Sequence, residues 1–161
     1  MAKADIYAKL KQDHDKQRTM LKELGDLEGT SAERKKLFER LRIELQAHAA
    51  AEEESLYATM LAEPELRDDA RHSVSEHKEV DDTLGEMMKL EMASDEWEEK
   101  FFHLRRRYEH HIDEEEKEMF PAADKVLSKD KELELAGVYE ERKPEEAKEA
   151  KTNPPGSDER E

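Results

Sequence analysis

Apolar residues recur at helical spacing through four long stretches of this chain. Ile6, Leu10, Leu21 and Leu24, with Gln17 among them, share one stripe of a segment from about Ala4 to Leu27. Leu37, Leu41, Leu45, Leu56 and Met60 mark a second segment, and Ala70, Val74, Leu84 and Met87/Met88 a third. Phe101, Leu104, Tyr108 and Met119 mark a fourth. A helix with one apolar stripe must bury it against other helices. Short connections between four such helices predict an all-α fold, an antiparallel up-down-up-down four-helix bundle. Only 35 % of the residues are hydrophobic and 45 % are charged, which suits thin stripes better than a sheet covered on both faces.

The breaks agree with this division. Gly25 to Gly29 interrupts the first segment, and Thr30 with Glu33 has capping-box spacing ahead of the second. Pro64 suits the first turn of the third segment, and Ser94 with Asp95 and Glu96 caps the fourth. Pro121 is expected to end or redirect that helix. Beyond Ser128, Leu133, Leu135, Val138 and Tyr139 predict a short fifth helix. From Pro144 the Lys/Glu alternation and Asn153-Pro154-Pro155-Gly156 predict disorder. The expected organisation is a bundle over residues 1–140 and an acidic, disordered tail over 141–161.

A formal net charge of −16 argues against nucleic acid and against an anionic membrane surface as partners. The absence of cysteine excludes disulfides, iron–sulfur clusters and thiolate zinc sites. The N-terminus lacks a stretch of signal-peptide character and no run reaches membrane-spanning length, so a cytoplasmic location is expected.

Chemistry enters with the histidines. His14 and His48 are 34 residues apart, as are His77 and His111, and the second pair repeats the first after 63 residues. His48 is followed at i+4 by Glu52, and His111 by Glu115. That spacing alone discriminates little, because acidic residues fill 44 of 161 positions and five of seven histidines have one at i+4. The helix face discriminates. His14, His48, Glu52, His77, His111 and Glu115 all fall on the apolar stripes, whereas His72, His103 and His110 share faces with charged residues.

Six polar groups in a small core are costly unless each is satisfied. A metal ion satisfies them together, taking neutral imidazole nitrogens and carboxylate oxygens as ligands. Four histidines and two glutamates suit a pair of ions, each with two terminal imidazoles and the carboxylates bridging. Iron, manganese and zinc all accept such a set. The ferritin-like bundles use Glu-x-x-His and more carboxylates. The imidazole-rich set here favours binding or sensing a small oxidant over oxidative catalysis. A purely structural polar core, serving a helical scaffold or interaction protein, is the competing reading.

At these residues the chain resembles the hemerythrin-like family, the HHE cation-binding domains. The resemblance spans about residues 3 to 140. It rests on Gln-Asp-His14, His48-Ala-Ala-Ala-Glu52 with Tyr57, Glu76-His77, and His111-Ile-Asp-Glu-Glu115 with Phe120-Pro121. It implies a four-helix bundle around a non-haem, carboxylate-bridged di-iron centre held by His14, His48, Glu52, His77, His111 and Glu115. It further implies a protein that binds dioxygen or senses dioxygen, iron or redox state, with dioxygen, another diatomic or peroxide as the small ligand and a peroxide- or NO-consuming enzyme as the alternative. One departure stands out. Hemerythrins proper carry a further histidine four residues before the ligand of the third helix, and here that position is Ser73. Asp81, four residues after His77, is the preferred candidate for a possible further ligand, and a water is the equal alternative. His72 is the lesser candidate, about 140° around the helix from His77. Tyr108, one turn before His111, is a candidate hydrogen-bond donor to the site. Met20, Met60, Met87, Met88 and Met119 are expected as core filling.

Overall fold

The computed structural model describes residues 4–155; the expected tail residues 156–161 lie outside that range. The described residues are helical and arranged as five rods, without strands. The first rod is α1 (Ile6–Asp26). The second is α2 (Ala32–Glu52), which continues through a π-helical turn (Glu53–Tyr57) into α3 (Ala58–Ala62). The third is α4 (Arg67–Met88). The fourth is α5 (Asp95–Glu114), continued by a π turn (Glu115–Met119) into α6 (Phe120–Val126). The fifth is α7 (Lys129–Thr152). No helix among the described residues is long and apolar enough to cross a membrane.

Side-chain oxygens open four of the rods. Asp5, Ser31, Ser94 and Ser128 each accept the backbone N–H three residues on, at 3.0–3.1 Å. Ser31, not Thr30, caps α2, because Gly29 takes a positive φ of 72° and turns the chain one residue later than the capping-box spacing suggested. Pro64 sits in the turn before α4 and not inside its first turn. Pro121 does not end the fourth rod. It occupies the start of α6, directly after the π turn, where the regular α hydrogen-bond ladder is already interrupted and a missing N–H costs little.

The stripes pack into two apolar clusters. One contains Leu21, Leu41, Leu84, Trp97 and Leu104, and the other Ile6, Leu10, Leu56, Met60 and Phe120. Of the methionines read as filler, Met20, Met60, Met87 and Met119 are buried, while Met88 is 40 % exposed.

The fifth rod corrects the expectation at the C-terminus. It is not short, and the chain from Pro144 to Thr152 is helical where disorder was expected. Proline inside a helix removes one hydrogen bond and costs about 3 kcal/mol, so local sequence argues for a stop. Long-range contacts override it. Arg42, almost fully buried, donates to the Ala150 carbonyl at 2.9 Å and to Gln46 Oε1 at 2.6 Å. Gln46 in turn donates to the Asn153 carbonyl at 3.3 Å. Lys143 reaches Asp13 at 2.7 Å and Glu44 at 2.9 Å, and Arg142 reaches Glu54 at 2.6 Å. These pairs lay α7 along α2 and α1. Arg42→Ala should therefore cost about 2 kcal/mol, as expected for charge-assisted bonds in a buried setting. It should raise amide exchange selectively over residues 145–152. Uniform exchange across the chain would show that α7 does not depend on this anchor.

Candidate metal centre

A layer of polar side chains lies between the two apolar clusters. His14 is 0 % exposed, His48 1 %, Glu52 0 %, His77 4 %, His111 2 % and Glu115 1 %. The helices bring all six together. The His14 and His48 rings are 5.1 Å apart and the His77 and His111 rings 4.9 Å, each pair edge-on. The carboxylates connect the two pairs. Glu52 Oε1 lies 3.7 Å from His48 Nε2 and 3.3 Å from His77 Nε2. Glu115 Oε2 lies 3.6 Å from His14 Nε2, and its Oε1 lies 2.6 Å from His111 Nε2. Two compact donor groups result, Glu52-His77-His111-Glu115 and His14-His48-Glu52, sharing Glu52.

Every imidazole is oriented from behind. His14 Nδ1 donates to Glu116 at 2.7 Å, His77 Nδ1 to Glu53 at 3.1 Å and His111 Nδ1 to Glu76 at 2.8 Å. His48 Nδ1 donates to the Tyr139 hydroxyl at 2.6 Å, and that hydroxyl donates to Asp13. Holding the proton on Nδ1 leaves the Nε2 lone pairs facing one another, the tautomer a metal-ligating histidine requires. What faces inward is unsatisfied. His14 Nε2, His48 Nε2, His111 Nε2, Glu115 Oε2 and both oxygens of Glu52 are buried without a hydrogen-bond partner. Buried polar atoms are normally paired, so six orphans converging on one place fit a pair of cations. Separations of 3.3–3.7 Å between donor atoms are close to the roughly 3.4 Å expected for tetrahedral ligands about 2.1 Å from an ion.

The electrostatics show what protons do there in the absence of a cation. Burial and the neighbouring Glu115 raise the Glu52 carboxyl well above its ordinary range, so it is held neutral. Glu115 goes the other way. Burial opposes its ionisation, but the adjacent His111 imidazolium holds it well below the usual carboxylate range. Burial likewise opposes the charge on His111, and Glu115 outweighs it, bringing His111 up to about 9. Burial lowers His48 to about 4.

Other residues anticipated at the site are placed elsewhere. Asp81 is half-buried and belongs to neither donor group. It is the counterpart, 63 residues on, of Arg18, which reaches out to Asp113 and Glu116 at 2.9 and 3.2 Å. His72 is 56 % exposed beside Glu76 and Glu114, outside the buried groups. The Tyr108 hydroxyl donates to Gln17, which donates to Glu44 at 2.8 Å, so Tyr108 meets the site only through its ring, 6.1 Å from that of His111. The sequence reading passed over Tyr57 and Tyr139 as site residues. Tyr57, fully buried, donates to Glu115 Oε1 at 2.5 Å and stacks on His77 at 5.3 Å. Asp13, Glu53, Glu76 and Glu116 were also missed. Their signal was present: Asp13-His14 and Glu76-His77, like Glu52-Glu53 and Glu115-Glu116, repeat after 63 residues. Ser73 is buried and donates to Met119 Sδ at 3.5 Å.

Residues 5–123 match the hemerythrin HHE cation-binding domain. The chain belongs to that family. It is 30 % identical over 133 residues to protein Rv2633c of Mycobacterium tuberculosis and to protein Mb2666c of Mycobacterium bovis, covering 83 % of this chain and 81 % of each relative. The crystal structure of a hemerythrin HHE cation-binding domain-containing protein from Mycobacterium kansasii, a homolog of Rv2633c, is similar. It aligns with a TM-score of 0.81 and 25 % identity, over 92 % of this chain and 90 % of that one. The buried His/Glu cluster of this HHE domain is thus a metal-binding site in both donor chemistry and family.

The protonation pattern has a consequence for pH. The folded state holds the His111 proton more tightly than the unfolded chain, whose histidine titrates near 6.5. The stability this contributes is fully present below pH 6.5 and is lost as pH rises through about 9. Glu52, raised by burial, acts in the same direction, while the lowered His48 acts only below 6.5. The metal-free protein should therefore melt progressively lower between pH 6.5 and 9. The melting-point rise on metal addition should grow over the same window, since His111 must release its proton to ligate. Thermal melts with chelator and with Co(II) check both; a metal-induced shift independent of pH would contradict the assignment of His111.

Proposed function

We propose that this HHE domain protein is a non-haem di-iron protein that binds or senses dioxygen or a related small oxidant at the buried cluster. The observation that carries this reading is the set of six unpartnered buried donor atoms, three nitrogens and three oxygens, converging between the apolar clusters. In this reading α1, α2, α4 and α5 with their continuations form an up-down-up-down antiparallel bundle over residues 6–126, with α7 packed against it. His14, His48, Glu52, His77, His111 and Glu115 would hold the irons. Manganese or zinc would fit the same donors. Iron bound there supplies reversible electron transfer to a small oxygen ligand. The chain's own residues do the rest. The Nδ1 partners fix each imidazole, the two apolar clusters exclude bulk water, and the Tyr57 hydroxyl holds a proton at Glu115 Oε1.

Ser73 favours a small ligand over a sealed structural ion. A cavity of about 40 Å³ runs from the surface past Ser73 and Met119 to His111 and Glu115. That volume admits a diatomic molecule, peroxide or two or three waters, and an imidazole at position 73 would fill it. The same opening favours a peroxide- or NO-consuming enzyme as the second reading.

Anaerobic reconstitution with Fe(II) should give two irons per chain, and air should then develop charge-transfer bands in the visible. Metal-binding free energy adds to stability, about 4 kcal/mol at a thousandfold excess over Kd. The loaded protein should therefore melt well above the metal-free one. Glu52→Gln should leave the metal-free melting point unchanged or higher, because it removes a buried carboxyl that has no partner. It should also abolish the metal-induced rise. Absence of bound metal after reconstitution, or equal melting points with and without it, favours the scaffold alternative. Steady peroxide or NO turnover that vanishes in His77→Ala would instead establish the enzyme.

A further inference from the structure

We propose that Glu132 is a protonation latch: its carboxyl holds the start of α7 against the bundle while it carries a proton, and loosens α7 once that proton is lost. About two turns further along the same helix, Tyr139 covers His48. The latch therefore sets how tightly that half of the buried cluster is closed.

Glu132 lies in the first turn of α7, just after Leu127 and Ser128, two extended residues that join α6 to α7 and act as the hinge. Acidic residues are common in a first turn, where they face water and meet the helix dipole. Asp130 is of that kind. Glu132 is instead 0 % exposed, and among the described residues neither of its oxygens has a hydrogen-bond partner. Nor is it needed as a cap, since Ser128 already accepts the Lys131 N–H at 3.1 Å. Three titratable or charged groups face it: Tyr7 from α1, Asp124 from α6 and Lys129 on α7 itself. The Tyr7 hydroxyl is also buried without a partner. The Lys129 ammonium lies 3.4 Å from Glu132 Oε1, but it is 76 % exposed and shared with Asp124 at 3.1 Å. An ionised carboxylate there is buried with incomplete compensation. A protonated one has an O–H for Asp124 to accept and a carbonyl oxygen to accept the Tyr7 O–H.

The direction of the titration agrees with this geometry. Burial first, and then Asp124, raise the Glu132 carboxyl above its ordinary value, against Tyr7 and Lys129, which lower it. Asp124 goes the other way, lowered first by Glu132 and then by Lys129, so the proton of the pair sits on Glu132. With α7 released, Glu132 returns to the unfolded value of about 4.3. The stability that the latch gives α7 is therefore fully present below about pH 4.3 and is lost as pH rises through the raised folded value. Acid closes the latch and alkali loosens it. Arg42 and Gln46 still anchor the far end of α7, so the loosening is confined to the hinge half.

Hydrogen exchange of the full chain, with chelator present, tests the latch when it is read as protection factors, so that the intrinsic pH dependence of exchange cancels. Protection of the amides of residues 133–139 should fall from about pH 4.5 upward, by up to about tenfold per pH unit while Glu132 loses its proton. Glu132→Gln keeps the shape and never ionises, so it should remove that fall. Glu134→Gln, at an exposed position paired with Lys131, should behave like the wild type. In thermal melts the advantage of Glu132→Gln over the wild type should be larger at pH 8 than at pH 5. Wild-type protection that does not change with pH, a fall that persists in Glu132→Gln, or a melting difference of equal size at both pH values would overturn the proposal. None of the residues in the latch belongs to the buried donor groups, so these outcomes are separate from those that test the metal centre.

Discussion

The polar layer depends on an electrostatic imbalance that no protein group corrects. Two carboxylates and four imidazoles occupy the centre of a small core, and among the described residues six of their inward atoms have no hydrogen-bond partner. Without a cation the layer copes by redistributing protons: Glu52 stays neutral while Glu115 shares charge with His111. That arrangement satisfies one carboxylate of two. The rest of the fold can be seen as what keeps such a layer in place. An apolar cluster at each end prevents water from solvating it, and carboxylates and a tyrosine behind each ring prevent the rings from turning to find other partners. Rigidity that is costly for a structural core is what preorganises a site for a cation.

The π turns give this layer its geometry. On an uninterrupted α-helix a residue five positions on lies about 140° around the axis. Through a π turn, with its i to i+5 hydrogen bonds, it lies nearly in line. Glu52 is followed five residues later by Tyr57, and Glu115 by Phe120, each across such a turn. The rings are thereby brought onto the ligand face, Tyr57 stacking on His77 and Phe120 on His14 at 6.0 Å. The same turns let consecutive glutamates divide the work, Glu52 and Glu115 facing the centre while Glu53 and Glu116 reach His77 and His14.

What the sequence disclosed followed from periodicity, which is a local property. The apolar stripes placed the helices and selected four histidines and two glutamates, and those six are the groups the structure assembles. Asp81, chosen from its own helix, lies outside the two buried donor groups, and its counterpart 63 residues earlier, Arg18, reaches outward to Asp113. The Nδ1 carboxylate partners left a trace only in the 63-residue repeat, and which histidine each would meet was not legible because each lies on a rod other than that of its histidine. The length of α7 was hidden because Pro144 argues locally for a stop, while Arg42, Gln46 and Asp13, about a hundred or more residues away in the chain, argue against it. A π turn leaves almost no compositional trace, and here its one trace was the aromatic nine residues after His48 and after His111.

The departures from twofold symmetry are where the two halves acquire different roles. Around His14 and His48 the centre is closed. Leu10 packs in the apolar cluster, and α7 lays Tyr139 against His48, with Lys143 bound to Asp13 behind it. This lid lies beyond residues 5–123, which match the family. Around His77 and His111 the counterpart of Leu10 is Ser73, and a cavity reaches the ligands. Tyr57 adds a hydroxyl there that its counterpart Phe120 lacks. A proton donor and an approach for a small molecule therefore sit on the same half, while the other half is sealed. The two halves of the buried His/Glu cluster thus differ in access: a cavity is lined by His111 and Glu115, while α7 covers His48. That difference follows from two pairs of unlike counterparts, Leu10 with Ser73 and Phe120 with Tyr57, and from α7.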